Sequence, residues 1–162
     1  MLFQCGVHSL HRLAGLFGPV AAVQSMMRYD VHTATRTADV SNVLLRHESG
    51  LLGTLNCYHV TAYVHEFRLF GTDGNLYVDT HANRAFFQKR LVNRVEPRVE
   101  LPMPKMDSHM DCINVANWYR AIRQEGPASP SLQDGINAEL PVFAAVLATE
   151  RKCEVSIQEV LA

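Results

Sequence analysis

The chain has 162 residues, 48% of them hydrophobic, 19% charged and 8% aromatic, and its 15 Lys and Arg against 16 Asp and Glu leave a formal charge of −1. That composition excludes a disordered segment, and the charge balance offers no electrostatic footprint for nucleic acid or an anionic membrane. A chain of this length buries roughly 70% of its unfolded surface without a staple of disulfides or metal, so residues 1–162 read as one domain.

No apolar run approaches the roughly 18 residues of a membrane span. The opening Met1-Leu2-Phe3-Gln4-Cys5 lacks the basic region of a signal peptide. Cys5, Cys57, Cys112 and Cys153 lie far apart and form no CxxC pair. They read as reduced, buried thiols of a cytoplasmic protein.

The first element is a helix over residues 5–17. Val7, Leu10, Leu13, Ala14 and Phe17 fall on one face, and Gly18-Pro19 stops it. Strands follow over 20–29, 40–47 and 51–59, the last two joined by a turn at Glu48-Ser49-Gly50. Strands over 63–70 and 75–79 flank Thr72-Asp73-Gly74, where Asp-Gly is a strong hairpin signal. Segments 85–90 and 95–101 complete the β-rich block.

Successive hairpins imply an open, mostly antiparallel sheet. Alternation along it gives one apolar face. The second face is mixed and carries Tyr58, Val64, Glu66, Arg68 and Phe70. Such a mixture suits a protein–protein interface.

The final third is helical. Ser108 and Asp111 have capping-box spacing, and Cys112, Val115, Trp118, Tyr119 and Ile122 form a stripe expected to be buried. A further helix starts near Ser131 and carries Ile136, Leu140, Phe143 and Leu147. Pro141 is expected to kink or split it, because proline removes a backbone donor. Residues 153–157 read as a closing strand. The class is therefore α+β, with helices on one face of the sheet and an oligomer contact on the other.

The eight histidines are the obvious chemical resource. His8 and His11 share a helix face, but a metal site needs a third or fourth ligand, and Gln4 is a poor one. No metal site is expected. His109, Asp111 and Cys112 read as a helix start with a core cysteine. Glycines 50, 53, 71 and 74 sit in hairpin context rather than between a strand and a helix, so no nucleotide-binding loop is encoded.

Taken together, Gly6-Val7-His8, Leu16-Phe17-Gly18-Pro19-Val20, Ser49-Gly50-Leu51-Leu52-Gly53-Thr54 and, most specifically, Gly71-Thr72-Asp73-Gly74-Asn75-Leu76 resemble the C-terminal domain of the Gfo/Idh/MocA oxidoreductases, the glucose–fructose oxidoreductase and inositol dehydrogenase family. The similarity extends over nearly the whole chain. In that family a separate N-terminal Rossmann domain binds NAD or NADP, while the C-terminal domain supplies an open sheet, part of the substrate pocket and the oligomer contact.

The resemblance implies that His8 lies near substrate and assists proton transfer, with Gln4 and His11 beside it. It also implies a sugar, inositol or other polyol as substrate, NAD or NADP for the full-length family but no cofactor bound by this chain, and a homo-oligomer. The chain departs from the pattern at two places: the family's aspartates fall on Gln4 and His11. Two functions follow as expectations. The first is a substrate-binding and oligomerisation domain unable to transfer hydride alone. The second is a non-enzymatic dimeric module for assembly or small-molecule binding.

Overall fold

The first helix, α1 (Val7–Phe17), continues directly from a π-helical segment, Leu2–Gly6. Leu10 is its fully buried residue, and Gly18 ends it with φ of +83°, a conformation that favours glycine. The molecule is a computed structural model that describes residues 2–32, 37–103 and 110–162, the side chains of 110 and 111 excepted. The proposed cap at Ser108 and Asp111, and His109, lie outside the described residues.

Among the described residues nine strands and three further helices follow: β1 (Val20–Arg28), β2 (Val40–His47), β3 (Leu52–Tyr58), β4 (Glu66–Phe70), β5 (Gly74–Asp79), β6 (Arg84–Leu91), β7 (Arg94–Val95), β8 (Val99–Leu101), α2 (Met110–Ile122), α3 (Leu132–Arg151), β9 (Val155–Ser156) and α4 (Ile157–Leu161). The fold is α+β with open, antiparallel sheets. The strands divide between two sheets, and the chain forms two compact units: Met1–Thr61 with Asn114–Ala162, and Ala62–Ile113.

The first unit holds a four-stranded sheet in the order β3-β2-β1-β9. Period-two alternation decides its faces. Val23 and Ser25 of β1, Ser41, Val43, Leu45 and His47 of β2, and Leu55 and Cys57 of β3 are buried. Helix α3 covers β1 with its small residues Ala145 and Ala148, which are fully buried. The approach is close enough for the Ser25 hydroxyl to donate to the Ala145 carbonyl and to pair with Thr149 Oγ1 at 2.7 Å. The opposite face of this sheet is open. Met26, Leu44, Leu52 and Tyr58 are exposed there, among Gln24, Asn42, Arg46, Thr54 and Asn56.

The second unit is a meander in the order β4-β5-β6-β7, with β8 also pairing β6. The hairpin expected at Asp73-Gly74 is present, with Phe70 opposite Asn75. A Cβ at Gly74 would lie 2.4 Å from the Gln88 carbonyl oxygen, so no larger residue fits. Segment 95–101 is two strands rather than one, because Pro97 between them has no amide to continue the ladder. Residues 63–65 precede β4 instead of opening it. Tyr63 there stacks on His65, with ring centroids 5.2 Å apart. Glu66 and Arg68 pair with each other at 2.6 Å.

Two expectations of burial are corrected. The α2 stripe is exposed: Val115, Trp118, Tyr119 and Ile122 all face solvent, Trp118 at 65%. Helical spacing shows that a face is apolar, but it does not supply the element that covers it. Cys112 and Cys153 are also exposed, while Cys57 is buried and Cys5 half-buried. Pro141 does not split α3, which runs unbroken through it with the ring buried on the sheet-facing side.

Candidate functional site

The π-helical segment and α1 bring the candidate residues onto one exposed stretch of surface. Gln4, His8 and His11 are all exposed. Gly6 between them has a steric reason. A Cβ there would meet Leu2 Cδ1 at 2.7 Å and Cys57 Sγ at 3.0 Å, so the glycine lets this segment press against β3. Burial pushes the Cys57 thiol up to about 11, with the Cys5 thiol adding to the shift. That sulfur is a packing group rather than a nucleophile.

His11 faces the start of α3. It lines a small cavity of about 150 Å³ with Ala14, Gly15, Pro19, Asp134 and Asn137. Asp134 is fixed by a reciprocal cap. Its Oδ2 accepts from the Ser131 amide at 2.7 Å and the Ser131 hydroxyl at 2.8 Å, and the Asp134 amide donates back to Ser131 Oγ. The Ser131 amide and hydroxyl hold the Asp134 carboxyl below its ordinary range, and the charge of His11 acts in the same direction. A carboxylate, an imidazole and an amide side chain around a small cavity form a hydrogen-bonding set suited to a hydroxylated guest. His8 and Gln4 line neither this cavity nor the larger one.

The larger cavity, about 850 Å³, was not legible in the sequence. It lies between the π-helical segment, the end of β1 and the middle of α3. Phe3 and Phe143, edge to face with centroids 5.3 Å apart, form part of its wall with Met27, Tyr29 and Leu147. Its lining is mainly apolar, with Glu150 at its rim. Burial raises the Tyr29 phenol, and Glu150 raises it further.

Residues 1–77 match the family model of the GFO/IDH/MocA C-terminal domain. That segment, just under half of the chain, is similar to the Gfo/Idh/MocA family. Over the whole chain the likeness extends to fold. A structure from Desulfitobacterium hafniense, described as an NADPH-dependent oxidoreductase, matches with a TM-score of 0.87 at 23% identity, covering 99% of this chain and 49% of that one. An oxidoreductase from Agrobacterium radiobacter, in complex with NAD+, L-tartaric acid and magnesium, gives a TM-score of 0.75 at 16% identity over 98% of this chain and 49% of that one. Levoglucosan dehydrogenase with NADH gives 0.74 at 16% identity over 95% and 49%. The chain thus spans about half the length of the oxidoreductase structures it matches. Among curated proteins none matches the chain. Among the described residues no helix is long and apolar enough to cross a membrane.

A dinucleotide requires a strand, a glycine turn and a helix N-terminus aimed at the pyrophosphate. Among the described residues every strand pairing is antiparallel, and the sharp glycine turns at 50 and 74 join strand to strand. These residues do not fit the cofactor.

Proposed function

We propose that this chain is the substrate-binding and oligomerisation portion of an NAD(P)-dependent dehydrogenase of sugars, inositols or other polyols. Hydride transfer then depends on a nucleotide-binding portion outside these residues. The observation that carries the reading is the His11–Asp134 cavity on the helix that bears the family's Gly6-Val7-His8 signature. Removing a hydride from an alcohol carbon needs a base for the hydroxyl proton. His8 is the imidazole assigned to that role, while Gln4 and His11 bind neighbouring hydroxyls. The four free thiols support a cytoplasmic setting.

Self-association is the second part of the proposal. Met26, Leu44, Leu52 and Tyr58 remain exposed on the open face of the first sheet. Covering such side chains fully stabilises by roughly 1.5–3 kcal/mol each, and a two-fold pairing of the same face is the simplest closed arrangement.

The non-enzymatic alternative is favoured by the two changed positions: Gln4 and His11 stand where the family has aspartates, and Gln4 cannot act as a base. The test is a titration with myo-inositol and with glucose, followed by the imidazole C2 proton signals. The enzyme reading expects saturable shifts of the His8 and His11 resonances, and weaker binding in His11→Ala. Unmoved resonances at high polyol concentration would leave the assembly reading in place.

A further inference from the structure

We propose that His32, Asp39 and His59 form a binding site for a divalent transition-metal ion, zinc(II) in the first instance. None of the three belongs to the polyol-binding residues, and their sequence spacing follows no metal-binding pattern. The topology brings them together. In the antiparallel run β1-β2-β3, the end of β1, the start of β2 and the end of β3 share one edge of the sheet.

The main chain fixes the arrangement around Asp39. The ladder runs one residue past the strands: the Asp39 amide donates to the Arg28 carbonyl at 2.8 Å, and the His59 amide donates to the Asp39 carbonyl at 2.8 Å. On the other side, the amides of Val31 and His32 donate to Asp39 Oδ2 at 2.9 and 3.1 Å. Both histidines are therefore tied through their own backbone to the same aspartate. Neither amide bond falls on Oδ1.

The donor atoms of the three side chains lie within 4.8 Å of one another. The two imidazoles face each other with centroids 5.1 Å apart and planes at 57°. Bonds of about 2.0–2.2 Å to zinc place tetrahedral ligand atoms about 3.3 Å apart. Both histidines are exposed at the sheet edge, within reach of an ion from solvent.

Asp39 is 1% exposed. Arg28 is committed to Asp30 at 2.5 Å. The buried Asp39 carboxyl, with Oδ1 outside those two amide bonds, lies beside two imidazoles, a set that a cation completes. Two nitrogens and one oxygen favour zinc or another first-row ion over magnesium or calcium, which prefer oxygen throughout. Three protein ligands leave a position open to water or an outside ligand.

The test strips the full chain with a chelator and titrates it with Zn(II) by calorimetry and with Co(II) by visible absorption. The expected result is one equivalent of each metal, a ligand-field band for cobalt and silence with Mg(II). His32→Ala and His59→Ala each weaken binding by roughly tenfold or more. Their circular dichroism matches the parent, since both residues are exposed. Asp39→Asn is the second probe and weakens binding while keeping the amide bonds to its side-chain oxygen. Absence of zinc heat and a cobalt band in the parent would overturn the site. So would undiminished binding in His59→Ala, or binding lost in a His8→Ala/His11→Ala variant instead.

Discussion

His47, the last residue of β2, donates from Nδ1 to the carbonyl oxygen of Gly18 at 2.8 Å. It joins the sheet to the turn that ends α1. The neighbouring Glu48 amide reinforces the join by donating to Pro19 at 3.0 Å. His47 is 1% exposed, and its Nε2 has no hydrogen-bond partner among the described residues. The imidazole therefore acts as a buried fastener between helix and sheet, with the edge of Phe17 against it.

His47→Ala leaves the Gly18 carbonyl without its donor and opens a void. A loss of about 2–3 kcal/mol is expected in urea unfolding at neutral pH. A variant as stable as the parent would show that the α1–β1 turn holds without this bond.

Acid should loosen the start of α3. The folded Asp134 carboxyl lies below its unfolded value of about 3.9. Its contribution is complete above that value and disappears as pH falls through the lower folded one. The stability gap between the parent and Asp134→Ala should be widest above about pH 4 and narrow toward pH 2. A gap that stays constant across that range would contradict the capping arrangement.

The thiols should differ in reactivity. With its thiol pushed up to about 11 and its side chain buried, Cys57 stays unmodified while exposed Cys112 and Cys153 react with iodoacetamide at pH 8. Peptide mass mapping over time gives the order. Early labelling of Cys57 in the folded chain would refute it.

Gly74→Ala forces a Cβ to 2.4 Å from the Gln88 carbonyl oxygen and 2.6 Å from Phe87 Cζ. The neighbouring strand cannot yield cheaply, so the cost should be about 3 kcal/mol. Gly126→Ala, with open space around it, serves as the control and should change little. Equal thermal stability of the two variants would remove the steric reason for this turn.

If the open sheet face pairs, Leu44→Glu should lower the molar mass seen by light scattering at micromolar concentration. Trp118 lies on α2 rather than on that face, so its quenching by acrylamide should match in both proteins. A parent that is monomeric throughout, or a Leu44→Glu chain that associates equally, would count against this face.

Local chemistry made much of the fold readable. Asp73-Gly74 announced its hairpin, and the alternation that sets Leu55 and Cys57 on one side announced the buried face. Signals that need a partner were less informative. The α2 stripe was apolar but uncovered. Pro141 read as a break, yet proline removes only the one bond from its own nitrogen, and burial against the sheet holds the helix on both sides. His11 was legible as a candidate through the family pattern, but its cavity neighbour Asp134, more than 120 positions later, was not. The convergence of His32, Asp39 and His59 depends on where three strands stop, which no spacing rule encodes.

The two units have different assembly histories. Residues 62–113 form hairpins between near neighbours, so that unit can complete its strand pairs as soon as it has been synthesised. The sheet of the other unit waits. Its first strand takes Val155 and Ser156 as an edge partner, roughly 130 residues downstream, and is covered by α3 from the same late stretch. Until that stretch leaves the ribosome, Val23, Val43 and Leu45 have no helix above them. The apolar sheet therefore lacks its covering helix while the residues between β3 and α3 are being made. Apolar strands left bare in that interval are prone to associate, and a stop codon before α3 is expected to leave a product that aggregates rather than folds.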